Sequence, residues 1–325
     1  MGLFNRSGLA FAAIIVAAAA VVSPRAAQAQ DTVRVGKSVA VAWTFTVMDV
    51  GIQAGIFEKH NLKIDLTSYG GDARMQQALT GNNIDIGLGS GPGMGFMAKG
   101  VPAKGVAAFA EAPRNIGLLV KTDAPYKTIK DMKGKKFGVT TVGSLTDWLV
   151  KRAAVSEGFK VDDFVVVPLG GPEANLAALK TNQIDAVVLA VEACYAVMEK
   201  NEGKIIGNFG VYAPKFHTHV IFARNDMQEK RPEVIKRFIT AFFETIAYMK
   251  ANKARTVEIT SKVLNFSPEV ISRTYDEEIS MLKDDGRFEP DAVKLIKETL
   301  PALGILETAP ADDVMFTTKF LPSGG

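Results

Sequence analysis

Apolar positions along this chain follow two periods, and the order in which the periods alternate predicts the architecture. From Thr32 to about Ala190, short apolar runs with strand character alternate with segments whose apolar residues recur every three or four positions. Such alternation predicts α/β lobes on mainly parallel sheets, because parallel neighbours need a crossover, usually helical, between them. The first unit reads as a strand over residues 33–38, a loop over 43–46, a helix to about Lys59 and a strand over 63–69. Asn61 suits the left-handed backbone that ends a helix. Strand 106–110 closes the unit. The second unit repeats the order, with a strand over 136–141, a loop over 143–146, a helix to about Glu157 and a strand over 164–169. After a strand over 219–223 the chain turns helical, and Ile235, Phe238, Ile239, Phe242, Ile246 and Met249 fall at helical spacing. Pro268, after a Ser267 cap, opens another helix to about Lys283, and a last helix runs over about 290–303.

One segment occurs twice. Residues 70–85 read GGDARMQQALTGNNID and residues 170–185 read GGPEANLAALKTNQID, identical at seven of sixteen positions. Each copy predicts a Gly-Gly turn, an amphipathic helix and a polar turn leading into an apolar strand. A repeat spaced by a small domain's length predicts two lobes of similar build. The chain is expected to cross between them at 111–115, where Pro113 interrupts the pattern, and to return near 211–216. Lobe 1 would then comprise residues 30–113 plus 217–325, and lobe 2 residues 114–216. Shared residues should mark scaffold, and specificity should lie where the copies differ, as at Asp72 against Pro172 and Arg74 against Ala174.

The first 29 residues stand apart. Arg6 precedes an uncharged apolar run over 9–22, and Ala27-Gln28-Ala29 forms a small-x-small cleavage pattern. This is the three-part pattern of a secretory signal peptide, and the run is shorter than the roughly 20 residues a membrane span needs. Without Arg6 and Arg25 the 38 basic residues become 36 against 35 acidic ones, close to neutral, which gives no support for a nucleic-acid partner. A single cysteine, Cys194, rules out an intrachain disulfide and a thiolate-rich metal site, and its apolar surroundings suit a buried hydrophobe.

Ligands of open α/β sheets bind at the carboxyl ends of strands, where helix N-termini present free N–H groups. Five loops take that position, and they supply the candidate contacts Trp43, Thr44, Thr46, Gly71, Asp72, Ser90, Gly91, Ser144, Leu145, Thr146 and Glu192. Any single loop reads equally well as a turn with a helix cap. Trp43 suits either a flat ligand wall or a core position, Glu192 either a ligand contact or a cap, and Arg74 a solvated surface. His217 and His219 share one strand face, which permits a metal pair without suggesting a third ligand. No Gly-x-Ser-x-Gly elbow or Walker loop is present, so neither an enzyme nor a metal or other cofactor is expected.

Several segments together resemble the periplasmic solute-binding proteins of ABC importers for nitrate, sulfonates, taurine and thiamine-pyrimidine precursors. They are GIFEKHNL over 55–62, the Gly-Gly to Ile-Asp-Ile-Gly stretch over 70–87, IKDMKGK over 129–135 with Phe137-Gly138-Val139, and Gln183-Ile184-Asp185-Ala186. The resemblance implies a type II-like two-lobed fold, a small polar or anionic organic solute held in the cleft by hinge closure, and a monomer that docks on ABC permease subunits. It also implies the candidate loops named above as the ligand contacts. Sulfonate binders often carry Trp, an acid and Pro after the second Ile-Asp strand; this chain has Val191-Glu192-Ala193 there, leaving Trp43 as the aromatic candidate. Other readings are a thiamine-pyrimidine-forming-type enzyme, whose chemistry uses a cysteine-rich segment this chain lacks, or a ligand-binding partner of a signalling receptor.

Overall fold

Ten strands pair into two five-stranded sheets in the computed structural model, which describes residues 1–2 and 30–322. The expected signal peptide thus lies, but for its first two residues, outside the described residues. Strands β1 (Asp31–Lys37), β2 (Leu62–Ser68), β3 (Ile86–Ser90), β4 (Ala103–Ala110) and β10 (His219–Arg224) form one sheet in the order β2-β1-β3-β10-β4. Strands β5 (Ile116–Lys121), β6 (Lys136–Val139), β7 (Val165–Pro168), β8 (Ala186–Ala190) and β9 (Gly203–Asn208) form the other, β7-β6-β8-β5-β9. Both sheets are mixed: four strands run one way, and one, β10 or β5, runs antiparallel to its two neighbours. The reversed strands are the two that the chain enters just after changing sheets. Thr218 holds the two crossings side by side, its N–H donating to the carbonyls of Ala110 at 2.9 Å and Glu111 at 3.2 Å.

Strands β3 and β8 are buried along their whole length, which explains their unbroken apolar character. The long helix Pro232–Ala251 buries the apolar stripe read from its spacing against the core of the first sheet. Two features differ from the sequence reading. The helix expected to run to about Lys59 is two pieces, Val47–Gln53 and Ile56–Lys59, because Gly55 takes the left-handed conformation at φ 70°. Strand β9 was not anticipated, since Gly203 and Gly207 interrupt its pattern and most of it is only half-buried.

Shared residues of the repeat do the same work in both lobes. Asn82 and Asn182 take left-handed turns at φ 59° and 60° after the helices Asp72–Thr80 and Pro172–Lys180. Asp85 Oδ2 accepts the Arg34 N–H at 2.9 Å, and Asp185 Oδ2 accepts the Lys136 N–H at 2.9 Å, so each carboxylate pins the neighbouring central strand. The Cδ1 atoms of Ile84 and Ile184 lie 2.5 Å from where a Cβ would stand on Gly36 and Gly138. Only glycine admits that approach. Among the described residues no helix is long and apolar enough to cross a membrane.

Gly36→Ala and Gly138→Ala should therefore each destabilise the protein by about 1–3 kcal/mol through overpacking. Gly207→Ala, where nothing lies within 4 Å of the new methyl group, should leave the thermal midpoint near that of the parent, as melting curves of the three variants will decide.

Candidate functional site

The carboxyl ends of β1, β3, β6 and β8 face one another across a narrow cleft, and the space left there is a cavity of about 60 Å³. Lobe 1 lines it with Ser38, Val41, Phe45, Asp72, Ser90 and His219, and lobe 2 with Thr140, Leu145, Thr146, Pro172, Leu189 and Ala190. Asn115, at the end of the first crossing, closes one side. Such a volume holds a handful of waters, far less than the roughly 300 Å³ at which drug-sized ligand pockets begin. A groove of about 1020 Å³ lies outside, between the helices Pro172–Lys180 and Val191–Glu199 and the turn at Leu264–Ser267. Val41 and Pro172 line both spaces and so stand between them.

Asp72 occupies the centre of the narrow cleft. The Gly71 turn that positions it has φ 126°, and its backbone N–H is held by the Ser38 carbonyl at 2.7 Å. From there Asp72 Oδ2 accepts the Ser90 hydroxyl at 2.7 Å and the Leu145 N–H at 3.3 Å, while Oδ1 accepts the Ser90 N–H at 3.2 Å. The bond to Leu145 reaches the other lobe, at the first turn of the helix Leu145–Ser156, where the helix dipole favours negative charge. Burial nevertheless pushes this carboxyl above the usual range, against the lowering effect of those bonds. Beside it, Thr140, Ser144 and Thr146 form a triangle of hydroxyls 2.9–3.1 Å apart.

A second contact between the lobes lies behind the cavity wall. Glu192, completely buried, accepts the Trp43 N–H on Oε1 at 2.6 Å and leaves Oε2 without a partner. Glu278, at the end of the helix Pro268–Glu278, is buried with both carboxyl oxygens unpartnered. Burial pushes Glu192 up to about 7 and lifts Glu278 well above the usual carboxylate range, with Glu192's own charge adding to the second shift. A buried acid without a basic partner favours its protonated form. The Trp43 ring packs edge-on against Tyr275 at 5.7 Å, and its Nε1 is buried without a partner.

Of the residues expected at the site, Asp72, Ser90, Leu145 and Thr146 line the cavity together. Ser144 stands one layer back, as the helix cap that accepts the Asp147 N–H at 3.4 Å. Trp43, Thr44, Thr46, Gly71, Gly91 and Glu192 do not line it. Trp43 is a core residue rather than a wall, and Thr46 Oγ1 bonds back to the Trp43 carbonyl at 2.6 Å. Thr44 serves through His219, whose Nε2 lies 2.8 Å from its hydroxyl. Gly91 approaches the His217 backbone so closely that a Cβ would stand 2.2 Å from its carbonyl oxygen.

The two histidines have separate partners: His217 Nε2 accepts the Glu289 N–H at 2.8 Å. Burial lowers His217 to about 4 and His219 to about 3, so both are neutral at physiological pH. Burial raises the Cys194 thiol above its ordinary range, which leaves it a hydrophobe. Sequence reasoning missed Asn115, Thr140 and Ser38, and it named the 43–46 loop without singling out Phe45. For Asn115 a signal existed, since it is the polar residue that ends the predicted crossing and precedes an apolar strand.

Glu192 generates a pH prediction. Its pKa is raised from the usual 4.5 to about 7, so its stabilising protonation is complete below 4.5 and lost as pH rises through 7, a span of about 3 kcal/mol. The histidines act oppositely, their contribution being lost as pH falls below 6.5. The difference in unfolding free energy between Glu192→Gln and the parent should therefore grow in the variant's favour from pH 5 to pH 8; a flat difference curve would show that Glu192 ionises normally.

Residues 43–255 match the family described as NMT1/THI5 like. A protein of Brucella abortus provisionally named a binding protein is 30% identical over 236 residues, 71% of each chain. Among solved structures, the alkanesulfonate-binding protein of Xanthomonas axonopodis pv. citri, bound to MOPS, superposes with a TM-score of 0.75 at 16% identity over 86% of this chain and 94% of that one. A desulfurization enzyme superposes with a TM-score of 0.61 at 12% identity, over 90% and 98% of the chains, and so shares the fold. Two lobes on mixed sheets, a cleft at the strand ends and a match over most of the chain lead to one assignment: this chain belongs to the NMT1/THI5-like family, with the fold of the periplasmic binding proteins.

Proposed function

We propose that this chain is exported to the periplasm by its N-terminal signal and serves there as the substrate-binding component of an ABC importer. Lobe 1 comprises residues 30–113 plus 217–325 and lobe 2 residues 114–216. A small polar organic solute enters through the outer groove and is enclosed at the cavity as the lobes close. The monomer, needing no cofactor, then presents its load to the permease.

One observation carries the reading. Polar groups from both lobes converge on one small cavity at the strand ends, and two adjacent crossings join the lobes, an arrangement that lets the lobes part to admit a solute. Hinge closure around a ligand follows when contacts on both lobes favour the closed state. The Brucella relative, provisionally named a binding protein, and the alkanesulfonate-binding structure support this role. The likeness to a desulfurization enzyme extends to the fold, and here Cys194, the chain's single cysteine, is sealed from any substrate.

A saturating solute, at a hundred times its dissociation constant, adds about 2.7 kcal/mol of stability and should raise the melting temperature by roughly 5 °C. Small-angle scattering on the same sample should show the radius of gyration fall on binding. Chemical turnover of that solute by ligand-stripped protein would overturn the reading.

A further inference from the structure

The charge inventory of the cleft points away from anions. Asp72 is the one charged side chain that lines the cavity, and His219 beside it is neutral. No lysine or arginine lines it. Lys37, buried near the end of β1, is paired with Asp49 at 2.9 Å. Arg74 lies outside on the rim: its guanidinium rests over the Gly70 and Gly170 turns, 2.8 and 3.6 Å from where their Cβ atoms would stand, and the residue is exposed. Behind the wall are two further acids, Glu192 and Glu278, with no base among their hydrogen-bond partners.

At one helix start beside the cavity, three backbone donors are already engaged. At the N-terminus of Leu145–Ser156 the Leu145 N–H goes to Asp72, the Gly143 N–H to Asp147 at 2.7 Å and the Asp147 N–H to Ser144. An entering anion would meet a carboxylate where other sites offer free N–H groups.

What remains free suits the opposite charge. Asp72 Oδ1 accepts a single hydrogen bond, from Ser90 N, and so keeps a free lone pair. Independently, Asn115 is 1% exposed, lines the cavity and has neither its Oδ1 nor its Nδ2 paired. A buried amide without partners is a polar group awaiting one. The rest of the lining mixes the hydroxyls of Ser38, Ser90, Thr140 and Thr146 with apolar side chains, Phe45 among them.

Given the solute-binding role above, we propose that the cleft selects a small organic cation, a protonated amine whose N–H groups bond to Asp72 and to the Asn115 carbonyl oxygen. The hydrocarbon part of the cation packs against Phe45, Ile116 and Val188. This makes Asp72 the specificity-determining residue, and its counterpart in the repeat, Pro172, the apolar side of the same cavity.

The test is a thermal-shift panel on ligand-stripped protein with size-matched alkylammonium ions, neutral alcohols and amides, and alkylsulfonates and carboxylates. Stabilisation by ammonium compounds alone is expected. For the best of them, Asp72→Asn should weaken binding at least a hundredfold by calorimetry. Stabilisation of the parent by a sulfonate or carboxylate, or by neutral compounds alone, overturns the cation assignment while leaving the solute-binding role standing. So does an Asp72→Asn variant that melts cooperatively and binds the amine with unchanged affinity. If no class shifts the melting point, the solute-binding role itself fails, and this inference falls with it.

Discussion

One carboxylate at the cleft answers to both lobes. Asp72 is held on its own side by the Ser90 N–H and hydroxyl, and it reaches the Leu145 N–H at the head of a helix on the other. A buried carboxyl is expensive to desolvate, and it persists here because three donors and a helix dipole meet it. The same group bars a second negative charge: two unit charges 4 Å apart near a protein surface repel by about 4 kcal/mol. One residue thus links closure of the cleft to the sign of what the cleft can hold.

The second contact between the lobes works differently. Glu192 bonds to the Trp43 N–H, and burial without a basic partner raises both its carboxyl and that of Glu278. Hydration of Glu192 would bring its carboxyl back toward the usual range, so its protonation is linked to its burial. The Asp72 face is ordered by donors and the Glu192 face by protonation, and the two crossings beside Thr218 lie between sheets that both faces join.

Much of the scaffold was legible because it is written in local rules. Gly-Gly turns, left-handed asparagines and the paired Ile-Asp ends are short-range devices, and they recur with the same geometry in both lobes. The site was legible only in part. Leu145 and Thr146 follow from the position of a helix start after a strand, but whether a loop residue faces the cavity or the core depends on packing at long range. Trp43 and Glu192 show this: both sit at helix starts that follow strands, yet they bond to each other across the lobes behind the cavity wall. Asn115, Phe45 and Thr140 come together from segments far apart in sequence, and no periodicity reports such convergence.

The repeat explains why specificity can change while the fold does not. Positions 72 and 172 are equivalent, each the first residue of its helix after a Gly-Gly turn, and both line the cavity. One copy places a carboxylate there and the other a proline. Glycines 36 and 138, under the isoleucines of the two copies, resist change because an added methyl group would force the neighbouring side chain to shift. Positions 72 and 172 differ between the copies, and both border the cavity. A pseudo-symmetric frame with unlike residues at its two equivalent mouths can present opposite chemistry to the two ends of one small molecule. That is how a fold shared with an alkanesulfonate binder can carry, in this chain, a carboxylate at the centre of its cleft.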